Sequence, residues 1–87
     1  MKKVRLFHFV GCPYCRAAEN WITEVVCEQP ELGAVEIERI DEHQHPEIAN
    51  QFDYWYVPTF YIDGQKVHEG AISKTIVKQI LQRALNS

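Results

Sequence analysis

Cysteine is scarce: three residues in a chain of 87, too few and too odd a number for the disulfide framework that braces many small secreted domains. Positive charge is also in short supply. Nine Lys and Arg against twelve Asp and Glu leave a formal charge of -3, which offers no electrostatic footprint for nucleic acid or an anionic membrane. No apolar run approaches the roughly 20 residues of a membrane span. Arg5 interrupts the N-terminal apolar stretch before it reaches the length of a signal-peptide core. Linkers, internal repeats and low-complexity tracts are missing as well. These absences argue against nucleic-acid and membrane partners and point to a cytoplasmic protein. The length leaves no room for two independently cored units, so residues 1–87 are expected to form one domain. With 46% apolar and 24% charged residues, the chain has material for one core and is not composed like a disordered segment.

What remains is a regular pattern. Val4 to Phe9 reads as a first strand, apolar enough after Arg5 to lie centrally with both faces covered. Gly11-Cys12-Pro13 follows, with Pro13 suited to the first position of a helix and Cys12 to the residue before it. Tyr14, Ala18, Trp21, Ile22, Val25 and Val26 then recur at helical spacing, and the helix is expected to end near Pro30. Val35 and Ile37 alternate with Glu36 and Glu38 as strand residues do. The polar stretch 41–47 reads as a loop ahead of a short helix over about 46–52. Thr59-Phe60-Tyr61-Ile62 is rich in strand formers, and Asp63-Gly64 signals a hairpin into Lys66-Val67-His68. Ser73 can cap a last helix carrying Ile76, Val77, Ile80, Leu81 and Leu85 on one stripe. The order βαβαββα describes an α/β chain with a right-handed crossover at its start and an antiparallel hairpin at its end. A mixed four-stranded sheet flanked by helices follows. That topology delivers Cys12 to the C-terminal end of the first strand, an exposed sheet end where α/β folds place their chemistry.

Cys12 and Cys15 form a C-x-x-C pair at this junction. A cysteine just before a helix meets the positive end of the macrodipole and unpaired backbone N–H groups, both of which favour thiolate over thiol. The thiolate is the species that attacks a disulfide, so Cys12 is the expected nucleophile. Cys15 lies one turn further in, close enough to close a small disulfide, and burial should keep it protonated until it attacks the mixed disulfide. It is the expected resolving thiol. Arg16 could add positive potential beside the pair. A structural zinc site needs two further ligands, and neither a second C-x-x-C nor a suitably spaced histidine pair is present, so no metal site is expected in one chain. The acidic and histidine residues Asp41, Glu42, His43 and His45 read as a polar loop rather than a metal cluster, and His8 as a packed strand histidine. Cys27 falls on the polar side of the first helix, a dozen residues beyond Cys15.

Cys12-Pro13-Tyr14-Cys15 after the first strand, Tyr56-Val57-Pro58 before the third and Asp63-Gly64 in the hairpin resemble the glutaredoxins of the thioredoxin-like superfamily. The resemblance spans nearly the whole chain and implies a thioredoxin-like fold and thiol–disulfide oxidoreductase activity. It also implies a cis Val57–Pro58 bond, with Pro13, Tyr14, Val57 and Pro58 contacting the substrate. Val57 would pair in β fashion beside the substrate's disulfide. Phe9, Tyr56 and the stretch Glu69-Gly70-Ala71-Ile72-Ser73 depart from the residues that glutathione-using relatives carry at these places. Leu6 occupies the place where thioredoxins bury an acid. Tyr54-Trp55-Tyr56 supplies a candidate apolar lip for a protein chain or a hydrophobic small thiol.

These readings converge on a monomeric redoxin that reduces protein or small-molecule disulfides. It needs no bound cofactor and draws electrons from a reductase or an external thiol, with glutathione disfavoured. The competing reading is a metal or iron–sulfur module that uses the C-x-x-C pair across a dimer, where two chains supply four thiolates. A redox-inert adaptor is the third, and it gives no reason for both cysteines to stand at a helix start.

Overall fold

A computed structural model describes residues 1–87. The first strand, β1 (Val4–His8), buries both faces in alternation: Val4 and Leu6 on one side, Phe7 on the other. Helix α1 (Pro13–Glu28) follows, with Pro13 in its first turn and Ala18, Ile22 and Val25 on its buried stripe. It ends before Pro30, whose ring opens a short 3-10 helix, Pro30–Ala34, that drops Leu32 into the core. Strand β2 (Ile37–Asp41), the short helix α2 (Pro46–Ala49), strands β3 (Thr59–Ile62) and β4 (Gln65–Glu69), and helix α3 (Lys74–Leu85) complete the chain. Ser73 caps α3, its hydroxyl oxygen accepting the Ile76 N–H at 3.2 Å.

The strands lie in the order β2-β1-β3-β4. Strand β1 is parallel to β2 and antiparallel to β3, and β3 is antiparallel to β4. Asp63 and Gly64 turn the hairpin with φ of 52° and 80°, the positive values that a tight two-residue connection requires. Helices α1 and α3 cover one face of the sheet, enclosing the larger core with Leu6, Phe60, Ile62, Val77 and Leu81. On the opposite face Phe7, Ile40 and Tyr61 form a smaller cluster with Ala49 of α2 and with Phe52, Tyr54 and Val57 of the loop that follows it. The thioredoxin-like arrangement of a mixed sheet between helices is therefore the observed one.

Local boundaries differ from the sequence pattern. Val35 precedes the second strand instead of opening it, because the 3-10 turn aims its side chain into the core. The strand instead runs on to Asp41, the first residue of the stretch expected to be a loop, where Asp41 Oδ1 accepts the His43 and Gln44 N–H groups. The short helix stops at Ala49 rather than near 52. Tyr14 lies on the same stripe as Ala18 but is 61% exposed, the first turn of α1 having lost its cover at the end of the sheet.

Candidate active site

Cys12 stands at the N-cap of α1 with an extended backbone, φ -79° and ψ 116°, and its Sγ accepts the Cys15 N–H at 3.1 Å. A thiol thus fills the place where a hydroxyl or carboxylate ordinarily satisfies a free helix N–H. The Cys12 carbonyl accepts the Arg16 N–H at 3.0 Å, which locks the cap to the first turn. Both cysteines are covered, 5% exposed each, while Val10, Gly11, Pro13 and Tyr14 around them are open to solvent. The thiols open onto a recess of about 220 Å³ that His8, Phe9, Arg16 and Glu19 also line. Glu19 is held by Arg39 at 2.6 Å.

Burial pushes the Cys15 thiol up to about 12. The hydrogen bond with Cys12 and the charges of Cys12 and Glu42 act in the same direction, while the Phe9 backbone works against them. Cys15 is therefore a thiol at neutral pH.

The second wall of the site comes from the other face of the sheet. Phe7 lies opposite Thr59 in the β1·β3 register, so Pro58 comes beside His8 at the same sheet end as the thiols. The Val57–Pro58 bond is cis. Pro58 is buried and its carbonyl accepts the Gly70 N–H at 2.8 Å, whereas the N–H and C=O of Val57 make no hydrogen bond within the chain. The residues before them are irregular but tied down. Tyr54 stacks on Phe7 at 4.9 Å and its hydroxyl donates to Glu42 at 2.8 Å. The Thr59 hydroxyl donates to the Tyr56 carbonyl. Glu69 Oε2 accepts the N–H groups of Trp55 and Tyr56 at 2.5 and 3.0 Å, and its other oxygen accepts from Lys66 Nζ at 2.8 Å.

The family model for the thioredoxin domain matches residues 2–82. A thioredoxin of Methanocaldococcus jannaschii is 34% identical over 83 residues, covering 95% of each chain. The chain belongs to the thioredoxin domain family. Among solved structures, Fasciola hepatica thioredoxin superposes with a TM-score of 0.69 at 26% identity, covering 95% of this chain and 80% of that one. Oxidised mitochondrial thioredoxin 3 of Saccharomyces cerevisiae gives 0.70 at 24% identity, covering 94% and 77%. This thioredoxin-domain protein is a thiol–disulfide oxidoreductase with its C-x-x-C pair at the start of α1. The relatives are named thioredoxins, while Cys-Pro-Tyr-Cys is the feature it shares with glutaredoxins.

The fold brings Cys12, Cys15, Pro13 and Tyr14 to one sheet end, and Val57 and Pro58 to the same end from the loop before the third strand. The aromatic run divides. Trp55 and Tyr56 are 85% and 71% exposed, but Tyr54 belongs to the packed cluster. His8 borders the recess, His43 stacks on Phe9 at 4.6 Å, and His45 lies 3.4 Å from Glu47. No group of three or more metal-ligating side chains converges within the chain. Cys27 is exposed near the far end of α1.

Glu69 is the main surprise. It lies in the stretch that departs from glutathione-using relatives, yet its carboxylate is consumed within the chain by Lys66 and two backbone N–H groups. Those bonds hold it well below the usual carboxylate range, at about 2, with Lys66 the largest cause. Glu69 and Trp55 are fourteen residues apart, and no local spacing announces their contact.

Proposed function

We propose that the protein reduces disulfides in polypeptide substrates by dithiol exchange, with Cys12 as nucleophile and Cys15 as resolving thiol. The observation that carries this reading is the Cys12 sulfur at the N-cap of α1, accepting the Cys15 N–H at 3.1 Å while the neighbouring thiol stays protonated. The Cys12 thiolate attacks one sulfur of a substrate disulfide. The first substrate thiolate leaves and takes a proton from solvent. Cys15 then gives up its proton to solvent and attacks the Cys12 sulfur, which expels the second substrate thiolate, itself protonated from solvent, and leaves a Cys12–Cys15 disulfide. Two electrons from an external reductase restore the dithiol. The two electrons given up by the Cys12 and Cys15 sulfurs end on the substrate thiols, and no bound cofactor enters a step.

The unpaired N–H and C=O of Val57 support docking of an extended substrate strand against this residue, with Pro58, Pro13 and Tyr14 forming its surroundings. The exposed side chains of Trp55 and Tyr56 favour a polypeptide over a small anionic thiol. Phe9 is occupied by His43 and Ser73 by the cap of α3, so neither offers glutathione a charged contact. We further assign the chain to the cytoplasm as a monomeric single domain, since a C-x-x-C pair that acts as a reductant suits a reducing compartment.

Two measurements test the reading. Cys12→Ser abolishes reduction of a polypeptide disulfide and Cys15→Ser accumulates a mixed disulfide at Cys12. Full turnover by Cys12→Ser would overturn the mechanism. Turnover is expected with thioredoxin reductase as electron source and not with glutathione plus its reductase; the opposite result would overturn the donor assignment.

A further inference from the structure

We propose that Glu69 is a positioning residue for polypeptide substrates: its carboxylate clamps the Trp55 and Tyr56 backbone and so presents Val57 to an incoming strand. The inference rests on the docking of substrate at Val57 proposed above.

Four contacts build the clamp. Oε2 of Glu69 takes the N–H groups of Trp55 and Tyr56 at 2.5 and 3.0 Å, and Oε1 takes Lys66 Nζ at 2.8 Å. Lys66 Nζ also donates to the Asp53 carbonyl at 3.2 Å, so the ion pair grips the loop at two places. The carboxylate side chain is only 20% exposed, and hydrogen bonds to a charged acceptor are stronger than neutral ones. Glu69 itself is rigid, because it ends β4 in register with Thr59, the residue that follows Pro58. One strand residue therefore controls the backbone immediately before Val57.

The arrangement has a purpose that packing does not supply. Trp55 and Tyr56 turn their rings to solvent, and although the buried Thr59 hydroxyl holds the Tyr56 carbonyl, the two N–H groups would without Glu69 exchange among water partners. A segment ordered before binding spares the substrate complex the cost of ordering it. The benefit goes to a substrate that uses the loop, namely an extended chain paired along Val57 and leaning on the two aromatic rings. A small disulfide that reaches only Cys12 gains nothing from it.

The test uses Cys15→Ser protein and two neutral reagents that release the same chromophore: dithiodipyridine, and a short apolar peptide whose cysteine carries a thiopyridyl group. Glu69→Gln, which keeps the size of the side chain and removes its charge, is expected to lower the ratio of peptide to dithiodipyridine rate constants about tenfold, the scale of one charge-assisted hydrogen bond. The loss should appear in the half-saturating peptide concentration and not in the limiting rate. In the same variant the amide proton resonances of Trp55 and Tyr56 are expected to move upfield while those of Cys12 and Cys15 hold. An unchanged ratio, whether both rates fall together or neither does, overturns the inference, and so do unmoved amide resonances. If the parent Cys15→Ser protein forms no mixed disulfide with the peptide, the dithiol mechanism itself fails and the inference falls with it.

Discussion

The two walls of the active site are built in opposite ways. On the thiol side Cys12 and Cys15 are three residues apart, and a single helix start orders them through its own cap and first turn. On the loop side residues 53–57 have no helix or strand of their own and are held by Lys66, Glu69, Tyr61 and Thr59, most of them eight to fourteen positions away. The two sulfurs are thus secured by local geometry, whereas the loop proposed to dock the substrate depends on long-range contacts. On the proposed reading chemistry and selection are separable, and substitutions should separate them.

The largest effect is expected on the thiol side, where Cys12→Ser removes turnover completely because Cys15, the other sulfur at the recess, is covered and held as a thiol; a disulfide-reduction assay checks it. Next comes Phe7→Ala, which removes the fully buried ring that Phe52, Tyr54 and Tyr61 pack around. It should cost about 3–5 kcal/mol in urea unfolding. If the walls are separable, its residual folded fraction keeps the Cys12 reaction with dithiodipyridine and loses discrimination for peptides.

A third outcome contrasts the cysteines themselves. With its thiol pushed up to about 12 and only 5% of the residue exposed, Cys15 should resist iodoacetamide at neutral pH while exposed Cys27 is alkylated, as mass spectrometry of the digested protein would show. Rapid labelling of Cys15 would remove the argument that it waits as a protonated thiol. Tyr61→Phe deletes the hydroxyl that donates to the Asp53 carbonyl at 2.9 Å, and should cost about 1 kcal/mol with little change at Cys12.

The smallest effect is acid sensitivity of the loop side. Glu69 is ionised in the folded state down to about 2, below the ordinary glutamate value near ~4.3, so the stability it lends is complete above that ordinary value. It is lost as the pH falls from there through about 2. The stability difference between the native chain and Glu69→Gln should therefore shrink across this window, measured by urea midpoints at successive pH values. A constant difference would show that the clamp does not depend on charge.

Most of the fold was legible because it is periodic. The run of strand formers Thr59–Ile62, the helical stripe of Ala18, Ile22 and Val25, the Asp63-Gly64 turn and the Ser73 cap each act over a few residues, and all appear where the pattern put them. Pattern failed where tertiary contacts redirected single side chains. Val35 alternates like a strand residue yet turns into the core from a 3-10 helix, and Tyr14 keeps helical spacing yet loses its cover at the sheet end. The aromatic run 54–56 could not be divided from composition, because what separates Tyr54 from its neighbours is the ring of Phe7, on a strand almost fifty residues earlier.

The sequence by itself determined the setting of Cys12, since a cysteine before a proline-started helix is placed at its N-cap by backbone rules that act within one turn. It also determined the order of strands and helices, through periods of two and 3.6 residues. Only the tertiary structure decided that Glu69 holds the backbone of a loop fourteen residues earlier, and how far the expected burial of Cys15 goes. Both depend on which distant groups the folded chain brings within hydrogen-bond range or removes from water, and a carboxylate or thiol takes its character from that company.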